Sequence, residues 1–203
     1  MRIRRWGMAP LMASVLAMAV VSQASAAELV EPAVVEESVQ SCTAPALSTA
    51  LAAYGDDRSY FTAPGGDFED AEGWQLRGGA ALTGGSSPLG LGGGMTSLRL
   101  PAGSSATSPV FCVDLDYPTF RFWASQAAGR GLAVDVIYPG FVQNKVQAAA
   151  NVKADAAWTL VKDVKLKPAK VESAWGWRHV AIRFRATAET RVDDVLIDPR
   201  MRG

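Results

Sequence analysis

The 203-residue sequence predicts an all-β domain, an antiparallel β-sandwich of jelly-roll type. Two observations carry that prediction. Apolar and polar residues alternate with a period of two, and Gly, Pro, Asn or Asp bound the alternating segments. A third is economy: eight or nine short strands over roughly 130 residues bury their apolar sides by facing one sheet with another.

Along the chain, Thr96–Leu100 and Thr107–Asp114 are the first strands. Phe120, Phe122 and Ala124 then alternate with Arg121, Trp123 and Ser125. Ala128-Gly129-Arg130-Gly131 turns the chain into Leu132–Tyr138, which Tyr138-Pro139-Gly140 ends. Val146, Ala148, Ala150 and Val152 alternate with Lys145, Gln147, Asn151 and Lys153; helix competes there because Ala and Gln favour it, and the period of two decides for strand. Ala157–Leu166 follows. The clearest alternation is Trp177–Ala186, with Val180, Ile182, Phe184 and Ala186 on one side and Trp177, His179, Arg183 and Arg185 on the other. Arg191–Ile197 is the last strand. Between Arg77 and Val110, 18 of 34 residues are Gly, Pro or Ser, so that stretch reads mostly as loop.

What precedes the domain has a different character. Arg2, Arg4 and Arg5 lead into an apolar run from Met8 to Val21, and Ala24-Ser25-Ala26 offers a small-x-small cleavage site. That pattern is a secretory signal peptide over residues 1–26. A membrane anchor is the alternative, but spanning hydrocarbon takes roughly 20 apolar residues. Residues 27–41 carry Glu28, Glu31, Glu36 and Glu37 among Val, Pro, Ala and Ser, and read as an acidic extended linker or tail. Residues 42–203 form a single β-sandwich domain. The location expected is secreted or cell-surface associated, with no transmembrane segment after cleavage.

Charge narrows the partners. The whole chain balances 20 basic against 20 acidic residues, and removing the leader leaves a small acidic excess, so nucleic acid is not expected as a partner. One His and two Cys exclude a His-rich metal site and a four-Cys zinc site. Cys42 and Cys112 lie in exported sequence, where a disulfide between them is expected. It would close a loop of about 70 residues and stabilise by roughly 4 kcal/mol in the chain-entropy view. Two free thiols are the alternative.

Two motifs mark the ends of the domain. Gly65-Gly66-Asp67-Phe68-Glu69, followed by Gly73-Trp74-Gln75-Leu76, opens it, and Thr190-Arg191-Val192-Asp193-Asp194-Val195-Leu196-Ile197 closes it. With Ser97-Leu98-Arg99-Leu100-Pro101 between them, they resemble the galactose-binding-like jelly rolls, in particular the carbohydrate-binding modules appended to xylanases and cellulases. The likeness spans about residues 64–198. The chain after the leader is also similar to secreted bacterial proteins for which no activity is implied. The resemblance implies first and last strands that are neighbours, and a structural calcium beside them. Glu69 and Asp193 or Asp194 are then the candidate ligands, with Asp67 nearby. Calcium takes six to eight oxygens, which two or three carboxylates and some carbonyls can supply. The alternative is that Asp67 ends a Gly-rich turn and the Asp pair lies on an edge or caps backbone donors.

No catalytic motif emerges. Gly84-Gly85-Ser86-Ser87-Pro88 lacks the closing Gly of a nucleophile elbow. Asp114 and Asp116 share a parity, but Tyr117-Pro118 ends their strand. A non-catalytic binding domain is therefore expected. If Arg121, Trp123, Asp135, Trp177, His179, Arg183 and Arg185 belong to one sheet, they line one face, and Trp175 adds a platform at its rim. Aromatic rings stack on sugars, and Arg and Asp bond hydroxyls, so the expected partner is a glycan or another cell-envelope component. A cross-strand charge ladder with covered tryptophans is the competing expectation, and it suits a structural or protein-interaction domain of the bacterial envelope.

Overall fold

The computed structural model describes residues 42–126, 130–140, 142–166 and 176–200. The signal peptide, the acidic linker and Trp175 lie outside the described residues. Twelve strands form within them: β1 (Phe61–Thr62), β2 (Gln75–Arg77), β3 (Ala81–Gly84), β4 (Thr96–Leu100), β5 (Ser105–Thr107), β6 (Phe111–Val113), β7 (Thr119–Gln126), β8 (Arg130–Tyr138), β9 (Lys145–Lys153), β10 (Thr159–Lys165), β11 (Arg178–Ala186) and β12 (Thr190–Asp198). They pair into two antiparallel sheets. The first has the order β10-β7-β12-β4-β3, with β1 also on β12. The second has the order β2-β5-β11-β8-β9, with β6 also on β11. From β4 onward the chain passes back and forth between the sheets, as in a jelly roll, and its long strands come last.

The period-two pattern decides which side chains meet between the sheets. Phe120, Phe122 and Ala124 of β7 and Val192, Val195 and Ile197 of β12 face Val134 and Val136 of β8 and Val180, Ile182 and Phe184 of β11 in one buried cluster. Phe122 meets Phe184 edge-on at 5.0 Å between centroids, and Trp74 stacks on Phe184 at 6.1 Å. The Trp74 indole N–H donates to the Pro64 carbonyl at 2.8 Å, so this ring is buried with its polar edge satisfied. The Gly-Trp motif is thus a core element.

The Ala-rich segment is strand β9, where pairing with β8 outweighs the helical preference of Ala and Gln. The stretch 77–110 is mostly loop, as expected, with β4 at Thr96–Leu100 where the sequence places it and the short β3 and β5 beside it. One expectation needs correction. The strand expected over Thr107–Asp114 is two, because Pro109 has no N–H to give to a ladder. Around the break Ser108 donates its N–H to the Ile182 carbonyl at 2.8 Å and its Oγ accepts from Ile182 N at 2.9 Å.

In β12 an extra residue enters between Asp193 and Leu196, and Asp194 takes a positive φ of 47°. This bulge keeps Val192, Val195 and Ile197 on the core side while turning Asp193 and Leu196 outward. The outward Leu196 is covered by Leu51 and Tyr60 of the segment before β1, with Leu89 and Leu91 packed beside them. Cys42 at the head of that segment is disulfide-bonded to Cys112 of β6, with 5.6 Å between the Cα atoms. The segment preceding β1 is therefore fastened over the first sheet at one end and to the second sheet at the other.

Candidate functional site

The outward residues do not share one face. Arg121 and Trp123 stand on β7 of the first sheet, whereas Asp135, His179 and Arg183 stand on β8 and β11 of the second. The single-sheet arrangement expected from the alternation is corrected accordingly: period two separates inside from outside and carries no information about which sheet a strand joins. Trp177 immediately precedes β11 of the second sheet.

On the second sheet the buried Asp135 carboxylate holds two guanidinium groups. Arg183 donates to Oδ2 from Nε at 3.0 Å and from Nη2 at 2.8 Å. Arg185 donates from Nε to Oδ2 at 2.7 Å and from Nη2 to Oδ1 at 3.2 Å. Burial pushes the Asp135 carboxyl up, but the hydrogen bonds and charges of Arg185 and Arg183 outweigh it and hold its pKa below the usual value. This is the charge ladder, with Asp135 and Arg183 committed to each other.

Arg121 is likewise committed. Its Nε donates to Asp198 Oδ1 at 2.5 Å, its guanidinium lies 5.0 Å from the Tyr60 ring centroid, and Asp56 stands 3.8 Å away. The segment that carries Asp56 and Tyr60 covers it, leaving Arg121 only 7 % exposed. It ties that segment to the sheet rather than offering itself to a ligand.

The neighbourhood of Trp123 is different. Tyr54, 52 % exposed, leans on it at 6.1 Å between centroids and donates its hydroxyl to the Pro88 carbonyl at 3.0 Å. Trp123 itself is 9 % exposed, and its Nε1 has no acceptor among the described residues. Leu160 of β10 pairs with Trp123, so the half-buried Trp158, two residues earlier, shares its outward parity. Arg191 of β12 lies 5.3 Å from the Trp158 ring centroid. Its guanidinium is fixed by donating to Ser97 Oγ at 2.7 Å and to the carbonyls of Gly84, at 2.8 Å, and Gly85. Two aromatic groups therefore stand on this outer face, Tyr54 over the buried Trp123 and Trp158 beside a fixed cation. Tyr54, Trp158 and Arg191 were not foreseen as site residues. Tyr54 sits in a segment without periodic pattern, and Trp158 is set on the outward side beside Arg191 by the strand that follows it; the shared parity of Trp158 and Leu160 was the one signal present.

The four carboxylates named for calcium surround the loop 85–96. Asp193 Oδ2 accepts from Ser86 Oγ at 2.7 Å and Ser87 N at 2.6 Å. Asp194 accepts from Ser87 Oγ and, at 3.1 Å each, from the amides of Gly90 and Leu91. Glu69 Oε1 accepts from Met95 N at 2.8 Å and Thr96 N at 3.2 Å. Gly92, at φ 67°, passes so close that a Cβ would stand 2.5 Å from Asp67 Oδ2. Asp193, Asp194 and Glu69 thus accept from loop donors, and among the described residues no three of these four carboxylates bring their oxygens within 4.8 Å of one another. Among the described residues the only three potential ligands whose donor atoms lie within 4.8 Å of one another are Cys42, Cys112 and His179. Burial, with Asp194 alongside, raises the Asp193 carboxyl to about 6, and burial raises Asp194 as well.

No protein-family model matches the chain, and no curated protein matches it in sequence. Solved structures are similar to it in fold. The CBM22-1 xylan-binding domain of Paenibacillus barcinonensis Xyn10C is 14% identical, over 66% of this chain and 90% of that one, with a TM-score of 0.43. TmCBM61, solved with β-1,4-galactotriose, is 14% identical over 68% and 94%, at 0.37. The enzymatically active domain of bacteriophage CBA120 tailspike protein 4 is 17% identical over 66% of this chain but 20% of that one, at 0.44.

Proposed function

We propose that this protein is an exported, non-catalytic carbohydrate-binding domain, and that the glycan lies on the outer face of its first sheet. The observation that carries this is the pair of aromatic rings on that face, Tyr54 lying over Trp123 and Trp158 with Arg191 fixed beside it. Flat rings offer the apolar side of a pyranose a stacking partner, and a fixed guanidinium donates to its hydroxyls. The disulfide agrees with export. No helix among the described residues is long and apolar enough to cross a membrane. Asp114 and Asp116, the pair nearest to a hydrolytic arrangement in sequence, close a turn instead: Asp116 N donates to Asp114 Oδ1 at 2.8 Å.

The test is titration of the protein with a panel of soluble glycans. Trp158→Ala and Tyr54→Ala should each weaken the binding glycan by about tenfold, the scale of one aromatic contact. Trp177→Ala, just ahead of β11 of the second sheet, should bind as wild type does. If no glycan binds, or both first-sheet variants bind unchanged, the proposal fails and a structural role in the envelope takes its place.

A further inference from the structure

Cys42, Cys112 and His179 meet where the segment before β1 reaches the second sheet. His179 pairs directly with Cys112 across the β6·β11 ladder, so two of the three side chains are set side by side by backbone hydrogen bonds. The third arrives from the opposite direction, with Cys42 Sγ 3.7 Å from His179 Nε2. All three donor atoms lie within 4.8 Å of one another. Zinc bonds of about 2.3 Å to sulfur and about 2.05 Å to nitrogen give tetrahedral edges of about 3.6 Å for S···N and about 3.8 Å for S···S. The imidazole therefore already stands at an edge distance from one sulfur, and a Cα separation of 5.6 Å lets the sulfurs part to theirs by side-chain rotation.

Room for a fourth ligand adjoins the cluster. A cavity of about 200 Å³, lined by Thr43, Pro45, Phe61, Phe111, Cys112 and His179, opens beside it. One water occupies about 30 Å³. Cys42, Cys112 and His179 are each partly exposed, so a reductant and an ion can reach them.

We propose that this cluster is a redox-gated site for a thiophilic divalent cation such as Zn²⁺. In the oxidised protein the Cys42–Cys112 bond occupies it. An external dithiol reduces that bond by two electrons, becoming a cyclic disulfide and leaving two protein thiols. The cation then binds two thiolates and the neutral His179 imidazole, releasing two protons to solvent, with water as the fourth ligand. The ion thereby takes over the link between the N-terminal segment and β6 that the disulfide provided.

The experiment uses the whole protein, reduced and kept under inert gas, titrated with Co²⁺ and then Zn²⁺. One Co²⁺ per chain should bind with thiolate-to-metal charge-transfer absorption, and Zn²⁺ should displace it. The oxidised protein and Cys42→Ser should show no such absorption. His179→Ala should weaken Zn²⁺ by more than about tenfold, since even indirect partners of metal ligands cost that much. Circular dichroism accompanies each titration. The proposal is overturned if the reduced protein binds no ion, if His179→Ala binds as tightly as wild type, or if reduction unfolds the chain and Zn²⁺ does not restore it.

Discussion

The outer faces of the two sheets each bury an aspartate, and they treat it in opposite ways. Asp135 on the second sheet is 2 % exposed and is held by two arginines; Asp193 on the first is fully buried and is held by a serine hydroxyl and backbone amides. Burial raises both carboxyls. Full positive charges reverse the effect at Asp135, whereas neutral donors do not at Asp193. The consequence reaches function. The second face spends Asp135 on a charge ladder, while the first spends Asp193, Asp194 and Glu69 on holding a Gly-rich loop and Asp198 on Arg121.

The largest effect expected is that of deleting the arginine partner. Asp135→Ala leaves Arg183 and Arg185 facing each other and should cost about 2–4 kcal/mol, less than a fully buried pair because Arg185 stays half in water. Asp193→Asn should change stability by no more than about 1 kcal/mol at neutral pH, because lost acceptor geometry is offset by removal of a buried charge. Urea denaturation at constant m-value compares them. Equal losses would erase the distinction.

The pH profiles should diverge in sign. Asp135 has a depressed pKa in the folded protein, so its contribution is present above its unfolded pKa, near 4, and is lost as pH falls through the folded one. Asp193 is raised from 3.8 to about 6, so the folded state holds its proton more tightly; its contribution is present below about pH 4 and is lost as pH rises through 6. Asp193→Asn should therefore flatten the decline of stability between pH 4 and 6, and Asp135→Asn should flatten the loss in stronger acid. A variant that leaves its own window unchanged would show that its carboxyl is not shifted as described.

The comparison also marks where the sequence stops being informative. The alternation through β7, β8 and β11 was legible because each is long and has one face in the core, and the Cys42–Cys112 bond because the sequence ahead of the cysteines reads as an export leader and they are even in number. Which sheet each strand joins was not, since Arg121 and Asp135 satisfy the same rule on opposite sides of the molecule. Nor was the cover over Arg121: the chain from Asp56 to Tyr60 carries no period, and its place follows from an ion pair, a ring and Leu196. The acidic motifs were visible as residues, but whether a carboxylate meets a cation or an amide depends on the loop that arrives between them.

That last choice gives the smallest expected effect. A ligand that binds only the folded state stabilises it by RT ln(1 + [L]/Kd), about 2.7 kcal/mol at a hundredfold excess over Kd, which for a domain of this size is several degrees in Tm. A calcium ion at Asp67, Glu69, Asp193 and Asp194 has to take oxygens from the amides of Ser87, Gly90, Leu91, Met95 and Thr96, losing loop hydrogen bonds as it binds. Millimolar Ca²⁺ should therefore move Tm by less than about 1 °C. A rise of several degrees, reversed by a chelator and absent in Glu69→Gln, would show that the loop exchanges its amide donors for the ion. The carboxylates of the first face would then find, in calcium, the positive charge that arginine supplies to Asp135.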